Sequence, residues 1–506
     1  MKRLLLIITL VGLGISSIYS QSKPITPVIN ASGKFKKAYE DIPEGTQCTF
    51  RNVVRLKRIP KDSYMEPVQA VVIINNMQKA IPLNSLGVIE FDYDKNSFWY
   101  VAQIQSGLLK YYENKGIKAS LRSDQEKEGM EYIKQLRNSR MIYEDDALQD
   151  YLQCMLLSIY PSESLLPINV NPEVYVISGT DPDMFMLGNG ALFVTTGMLS
   201  ILDNEDELYG MMARTVAHYM FDDALITIQK NISRAKRAAF WGAVADGVTA
   251  ATEAYLYEKN DYYEPGIVFA TNDLVQTLIN DNINRRMGID FSEAQEIQAD
   301  YYASLFLNKV NRDVNALPSA LNKVYAYYNA QIDKSVIQKY GSYGYLTKQI
   351  EKLGEFKPTT TDRVYCKRIC GVISYVSGMN YYNKNYSKAK KIALLNIDNQ
   401  TASPEDYIMA ARCTMKISNT PESINECRAY LDKADEISPV INLNICKMKI
   451  LLLLRENKQI DAVDLLQQYQ SHLVNMYQQP HNKSDDEWIA SEQTWVQKQL
   501  DRINIM

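Results

Sequence analysis

The sequence predicts an α+β protein: a small β-rich domain, then a mainly helical domain with a small mixed sheet, then an α-helical repeat tail. Three observations carry this. Between Gln47 and Tyr112, short runs rich in β-branched and aromatic residues (Val68–Ile74, Ser97–Val101) alternate with polar clusters of Asn, Asp and Lys, as in a small antiparallel sheet. From Ser123 to Ser158 the chain is charged, rich in Leu and Met, and free of glycine after Gly129, which predicts helix. Beyond Pro358 the helical periodicity is almost unbroken. There the small residues Ala389, Cys427 and Ala462 follow similar polar turns at spacings of 38 and 35 residues.

At the N-terminus, Lys2 and Arg3 precede an apolar stretch from Leu4 to Leu13, and small residues lead to Ser20 and Gln21. That order is a secretory signal peptide, and the apolar run falls short of the ~20 residues that span a bilayer. Cleavage is expected near Ser20, with no stable transmembrane anchor afterwards. The expected division is 1–20 signal peptide, 21–120 β-rich domain, 121–364 central domain and 365–506 helical tail. The expected location is outside the cytoplasm, in a periplasm, with secretion as the alternative. With 55 basic and 59 acidic residues and a formal charge of −4, the chain lacks the concentrated positive charge that nucleic acid or an anionic membrane requires. The seven cysteines are scattered, and Cys366 and Cys370 match neither a redox pair nor a zinc-knuckle spacing, so they are read as small apolar packing residues.

In the central domain a strand-like run, Glu173 to Ser178, is followed by a second, Ala191 to Thr196, closed by Gly197. A helix is predicted over Glu205 to Ala224, its start marked by Asp203, Glu205, Asp206 and Glu207, whose carboxylates complement the helix dipole. Ala238 to Ala251, apolar and interrupted by Asp246, is predicted to be a buried or partly buried helix.

The order Phe185-Met186-Leu187-Gly188-Asn189-Gly190, Phe193-Val194-Thr195-Thr196-Gly197, Asn204 to Leu208, Ala217-His218 and Glu293-Ala294-Gln295-Glu296-Ile297-Gln298-Ala299-Asp300 resembles peptidase family forty-eight, the HtpX-like zinc metallopeptidases of gluzincin type. The resemblance spans roughly Glu144 to Val364. It implies a helix bearing His-Glu-x-x-His, in which two His one turn apart grip zinc and the Glu activates the metal-bound water. It also implies a later helix giving a third ligand and a carboxylate behind it.

Carried onto this chain, the metal ligands are His218, Asp222 and Glu296, with Asp300 behind them, and Leu192, Phe193, Val194 and Thr195 form the substrate strand. The central motif departs from the family, reading His-Tyr-Met-Phe-Asp. Tyr219 stands at the general-base position, and a phenol with a reference pKa near ~10 does not replace a carboxylate. Only three histidines exist in the chain, and His472 and His481 lie in the tail, so no shifted alignment restores a two-histidine site. No catalytic residue and no cofactor is therefore expected, although one nitrogen and two carboxylates suit zinc or another divalent metal. Glu296 and Asp300 taken alone also read as the solvated acidic face of a helix.

Gly188-Asn189 stands where the family has Pro-Gly. Lys357-Pro358-Thr359-Thr360-Thr361-Asp362-Arg363-Val364 is similar to its His-Pro segment, with Lys357 in place of the His. The tail resembles a tetratricopeptide array, whose period is ~34 residues, with Pro439 where such repeats end.

The expected function is a proteolytically inactive, exported pseudopeptidase that binds a protein or peptide segment in the cell envelope. The strand Leu192–Thr195 is expected to be a sheet edge able to accept an extended peptide. The alternative is an active metalloendopeptidase whose base is Asp223 or Glu293. Asp223 is expected to point away from the face of His218 and Asp222. A third reading makes the tail the functional unit.

Overall fold

A computed structural model of the chain describes residues 22–57, 66–92, 95–109, 119–161, 164–165, 172–231, 291–330, 359–478 and 483–505. The predicted signal peptide, the apolar segment Ala238–Ala251 and the pair Lys357-Pro358 lie outside the described residues. The architecture is α+β, in the order β-rich, mixed and helical that the sequence predicts.

The first sheet is antiparallel and contains β1 (Ser22–Pro24), β2 (Ala31–Phe35), β3 (Gln47–Leu56), β4 (Val68–Ile74), β5 (Met77–Pro82) and β6 (Ile89–Phe91). Its order is β5-β4-β3-β2-β6, with β1 also on β3. Asn75 and Asn76, at φ +50° and +63°, close the β4–β5 hairpin in two residues. Asparagine tolerates that left-handed backbone, and the turn's twist matches that of the strands.

The run Ser97–Val101, expected as a strand, is part of helix α1 (Lys95–Gln105). Its aromatic residues favour strands, but burial on two sides decides. Tyr100, Val101 and Ile104 join the core of the first sheet. Phe98, Trp99 and Ala102 face the larger core of the central domain, where Trp99 Nε1 donates to the Ile159 carbonyl at 2.9 Å.

The single helix expected over Ser123–Ser158 is two, α2 (Ala119–Asn138) and α3 (Asp146–Ile159). Arg140 at φ +53° turns the chain. Ile142 then bridges to Ile177, so strand pairing has displaced helical continuity. Asp145 caps α3 by accepting from the Leu148 amide.

A three-stranded sheet follows, β7 (Glu173–Ile177), β8 (Met184–Met186) and β9 (Ala191–Thr195), in the order β7-β9-β8. Around it stand α4 (Thr196–Ile201), α5 (Glu205–Met220), α6 (Asp223–Asn231), α7 (Glu293–Lys309) and α8 (Ala316–Asn329). Gly197 is required at the head of α4, because a Cβ there would lie 2.6 Å from the Thr180 carbonyl.

The tail comprises α9 (Arg363–Tyr382), α10 (Tyr386–Asp398), α11 (Pro404–Ile417), α12 (Pro421–Ile437), α13 (Leu443–Arg455), α14 (Gln459–Gln478) and α15 (Lys483–Ile505). Each packs on the next. Ala389, Cys427 and Ala462 are completely or almost completely buried, and they fall on α10, α12 and α14, the second helix of three successive pairs. Helix α9 also belongs to the central core, through Tyr365, Ile369, Val372, Ile373 and Val376. All seven cysteines are free. No helix among the described residues is long and apolar enough to cross a membrane.

Candidate functional site

Helix α5 starts on Asn204, whose side chain accepts from the Glu207 amide, with three acidic residues in its first turn. It was expected to run to Ala224, but it ends at Met220, and Asp222 takes a left-handed backbone at φ +58° before α6 begins. That turn decides where the next two carboxylates go. A continuous helix would place Asp222 one turn above His218. Instead, Asp222 Oδ2 accepts from Arg122 Nη2 at 2.7 Å. Asp223, expected to point away, brings its Oδ2 to 2.9 Å from His218 Nδ1. Its backbone carbonyl in turn accepts from Gln295 on α7.

His218 is buried between these groups, and the Phe291 ring stacks on its imidazole with centroids 4.3 Å apart. Its Nε2 stands 3.5 Å from Glu296 Oε2, a charge contact rather than a hydrogen bond. Burial alone would lower the His218 pKa, but the Asp223 and Glu296 carboxylates outweigh it and hold it above the ordinary value. Glu296 and Asp300 lie four apart on α7 and share a face. Both are engaged by Arg214 of α5, which donates from Nη2 to Glu296 and from Nε, at 2.6 Å, to Asp300. Even so, burial raises the Asp300 carboxyl above the usual range. The solvated-face reading of these two acids is set aside, since both are buried.

Tyr219, at the position where the resemblance expects a base, is partly buried beside Tyr160, with ring centroids 6.1 Å apart. Burial raises its pKa. The phenol therefore holds its proton through neutral pH.

The strand Leu192–Thr195 is not an edge. β9 is the central strand, parallel to β7 from Glu173↔Ala191 to Ile177↔Thr195 and antiparallel to β8 from Met184↔Val194 to Met186↔Leu192. Its residues are buried throughout, so no peptide can add to it. The outer edge of β7 is occupied as well. Gln153 and Gln149 of α3 hydrogen-bond to the Val174 amide and carbonyl, and the Tyr143 amide donates to the Val176 carbonyl at 2.9 Å.

Helix α5, with its one histidine, thus packs against α7, with its two carboxylates, near the small mixed sheet. The family model of Peptidase family M48 matches residues 146–364, so this part of the chain is similar to that family.

The metal that such a family implies does not fit the residues present. Of the three ligands expected, Asp222 faces Arg122 and Glu296 faces Arg214, so only His218 and Glu296 approach each other. Among the described residues, no three His, Cys, Asp or Glu side chains stand together in a metal-binding arrangement. Sequence reasoning missed Arg122, Arg214 and the role of Asp223. Arg214 had a signal: it is the only charged residue between Leu208 and His218, at helical spacing from that histidine.

A separate groove of about 1710 Å³ lies between the β7 side of this domain and helices α9 and α11, with Tyr143, Tyr175, Tyr375, Tyr381 and Arg412 among its lining residues.

Proposed function

We propose that the protein is an exported, proteolytically inactive pseudopeptidase that serves as a protein-binding scaffold in the cell envelope. The observation that carries the reading is Tyr219. A peptidase of this kind needs a carboxylate one residue after its first histidine to take a proton from water. Here that position holds a phenol kept neutral by burial. The carboxylate nearest the imidazole, Asp223, is committed to Nδ1 of His218.

The binding role draws support from the groove against the tail, whose tyrosines give large contact area at little entropic cost, and from the stack of helix pairs, read as a tetratricopeptide-like array. Export rests on the N-terminal signal pattern. The place where a partner segment lies is read as this groove and not the strand Leu192–Thr195, which is paired on both sides.

Protein purified without chelator is expected to leave an unfolded casein substrate intact, with or without added zinc, and a His218→Ala variant is expected to behave identically. Cleavage by the unaltered protein that His218→Ala abolishes would replace this reading with that of a working metalloendopeptidase.

A further inference from the structure

We propose that the groove between the central domain and the tail binds a lysine- or arginine-rich segment of a partner polypeptide. This deepens the scaffold reading and rests on it, since it names the chemistry of the segment held. Size is the first argument. Sites for small molecules enclose ~300–1,000 Å³, and a groove of about 1710 Å³ has room for a length of chain.

Charge is the second. Six carboxylates and three guanidinium groups line the groove, so it is net negative. The acids come from both walls. On the central-domain side, Glu144, Asp145 and Asp146 stand at the head of α3; on the tail side, Glu405 and Asp406 stand in the first turn of α11. Between them lies the Cys370 thiol of α9. Burial raises its pKa, and the negative fields of Asp406 and Asp145 add to the rise, so the two walls face one space.

Two of these acids are committed within the fold. Asp145 caps α3, and the buried Asp406 accepts from Ser374, Asn396 and Ser403. Glu144, Asp146 and Glu405 are exposed, and Glu405 meets only the Asn442 side-chain amide, at 3.3 Å. Among the described residues no cation pairs with any of the three. Nor do the guanidinium groups on either side neutralise them: Arg137 lies over the Tyr175 ring at the β7 end, and the buried Arg412 donates to Asn444 of α13.

The third argument is the aromatic lining. Tyr143 and Tyr375 meet edge to face with centroids 5.0 Å apart, and Tyr381 and Tyr382 continue the row along α9. Tyrosine faces attract ammonium and guanidinium groups and cover the methylene stems that carry them. Carboxylates above such rings select a basic side chain over a neutral or acidic one.

The test uses the full chain and three labelled peptides of equal length, one rich in lysine, one of serine and glycine, and one rich in glutamate, with binding read by fluorescence anisotropy. The lysine-rich peptide should bind and the other two should not. Added salt should weaken the binding, because exposed charges are screened. The variant Glu144→Lys/Glu405→Lys should melt like the unaltered protein and bind the lysine-rich peptide about tenfold more weakly. Glu44→Lys/Asp464→Lys, which makes the same charge change at exposed positions outside the groove, should bind as the unaltered protein does.

Absence of binding by the lysine-rich peptide would overturn the proposal, as would equally tight binding of the neutral or acidic peptide. Equal losses in the two double variants would overturn it as well, since binding would then follow overall charge and not the groove. Mass spectrometry should recover the bound peptide uncut. A cut peptide would defeat the pseudopeptidase reading instead, so the two failures are told apart.

Discussion

A chain ending at Arg363 is expected not to fold. The match to the family model ends at residue 364, which invites a cut there, but the core of the central domain does not end with it. Tyr365, Ile369, Val372, Ile373 and Val376 of α9 are 1–2% exposed and lie inside the central cluster, and Tyr365 Oη donates to the Leu199 carbonyl at 3.1 Å. At about 1.5–3 kcal/mol for each buried apolar side chain, their loss is on the order of 8–15 kcal/mol. That equals the whole stability of an ordinary domain, ~5–15 kcal/mol. A chain ending at Gln400 keeps α9 and α10, including Ile392 of the same cluster, and should unfold cooperatively. Circular dichroism melts of the two would decide: a sharp transition in the shorter chain would show that α9 is an appendage. Only the longer chain can ask whether the distal helices bind a partner.

The second large effect is expected at Lys323. Glu207, in the first turn of α5, is fully buried. It accepts from Lys323 Nζ at 2.6 and 2.7 Å, from the Thr359 hydroxyl at 2.6 Å, from the Asp203 amide at 2.7 Å and from the Ser319 hydroxyl. It therefore ties α5 to α8 and to the segment that leads into α9. Lys323→Ala leaves this carboxylate buried without its cation. Breaking such a pair from one side costs ~3–5 kcal/mol, and the 21% exposure of the Lys323 side chain places the result at the lower end. Urea denaturation should show a lower midpoint with an unchanged slope. A change within ~0.5 kcal/mol, ordinary for a surface substitution, would mean that the hydroxyl and amide donors alone stabilise the buried charge.

The sequence was informative where one local cause acted alone. Val68–Ile74 and Glu173–Ile177 stand as strands because their β-branched residues are buried in sheets. Gly197 marks a true close approach of backbone, and Ala389, Cys427 and Ala462, picked out by their spacing, are all buried on helices. Where distant parts compete for the same residues, the sequence was misleading. Ser97–Val101 has strand propensity and forms helix because two cores take its opposite faces. The helix through His218 has the composition to continue, yet it stops where Arg122, almost a hundred residues earlier, meets Asp222. Motif spacing located His218, Glu296 and Asp300. It could not show which cations those acids face, because an arginine at an ordinary helix position carries no pattern that names its partner. The central position of β9 was hidden for a similar reason: strand order is a property of pairing, and a five-residue apolar run reads alike at an edge or in the middle.

Helix α1 has a consequence of its own. With Tyr100, Val101 and Ile104 turned into one core and Phe98, Trp99 and Ala102 into the next, neither core can be opened without uncovering half of this helix. The N-terminal sheet and the peptidase-like domain are therefore riveted into one cooperative unit. In a calorimeter they should give a single transition, and neither half can be exchanged between proteins as an independent module.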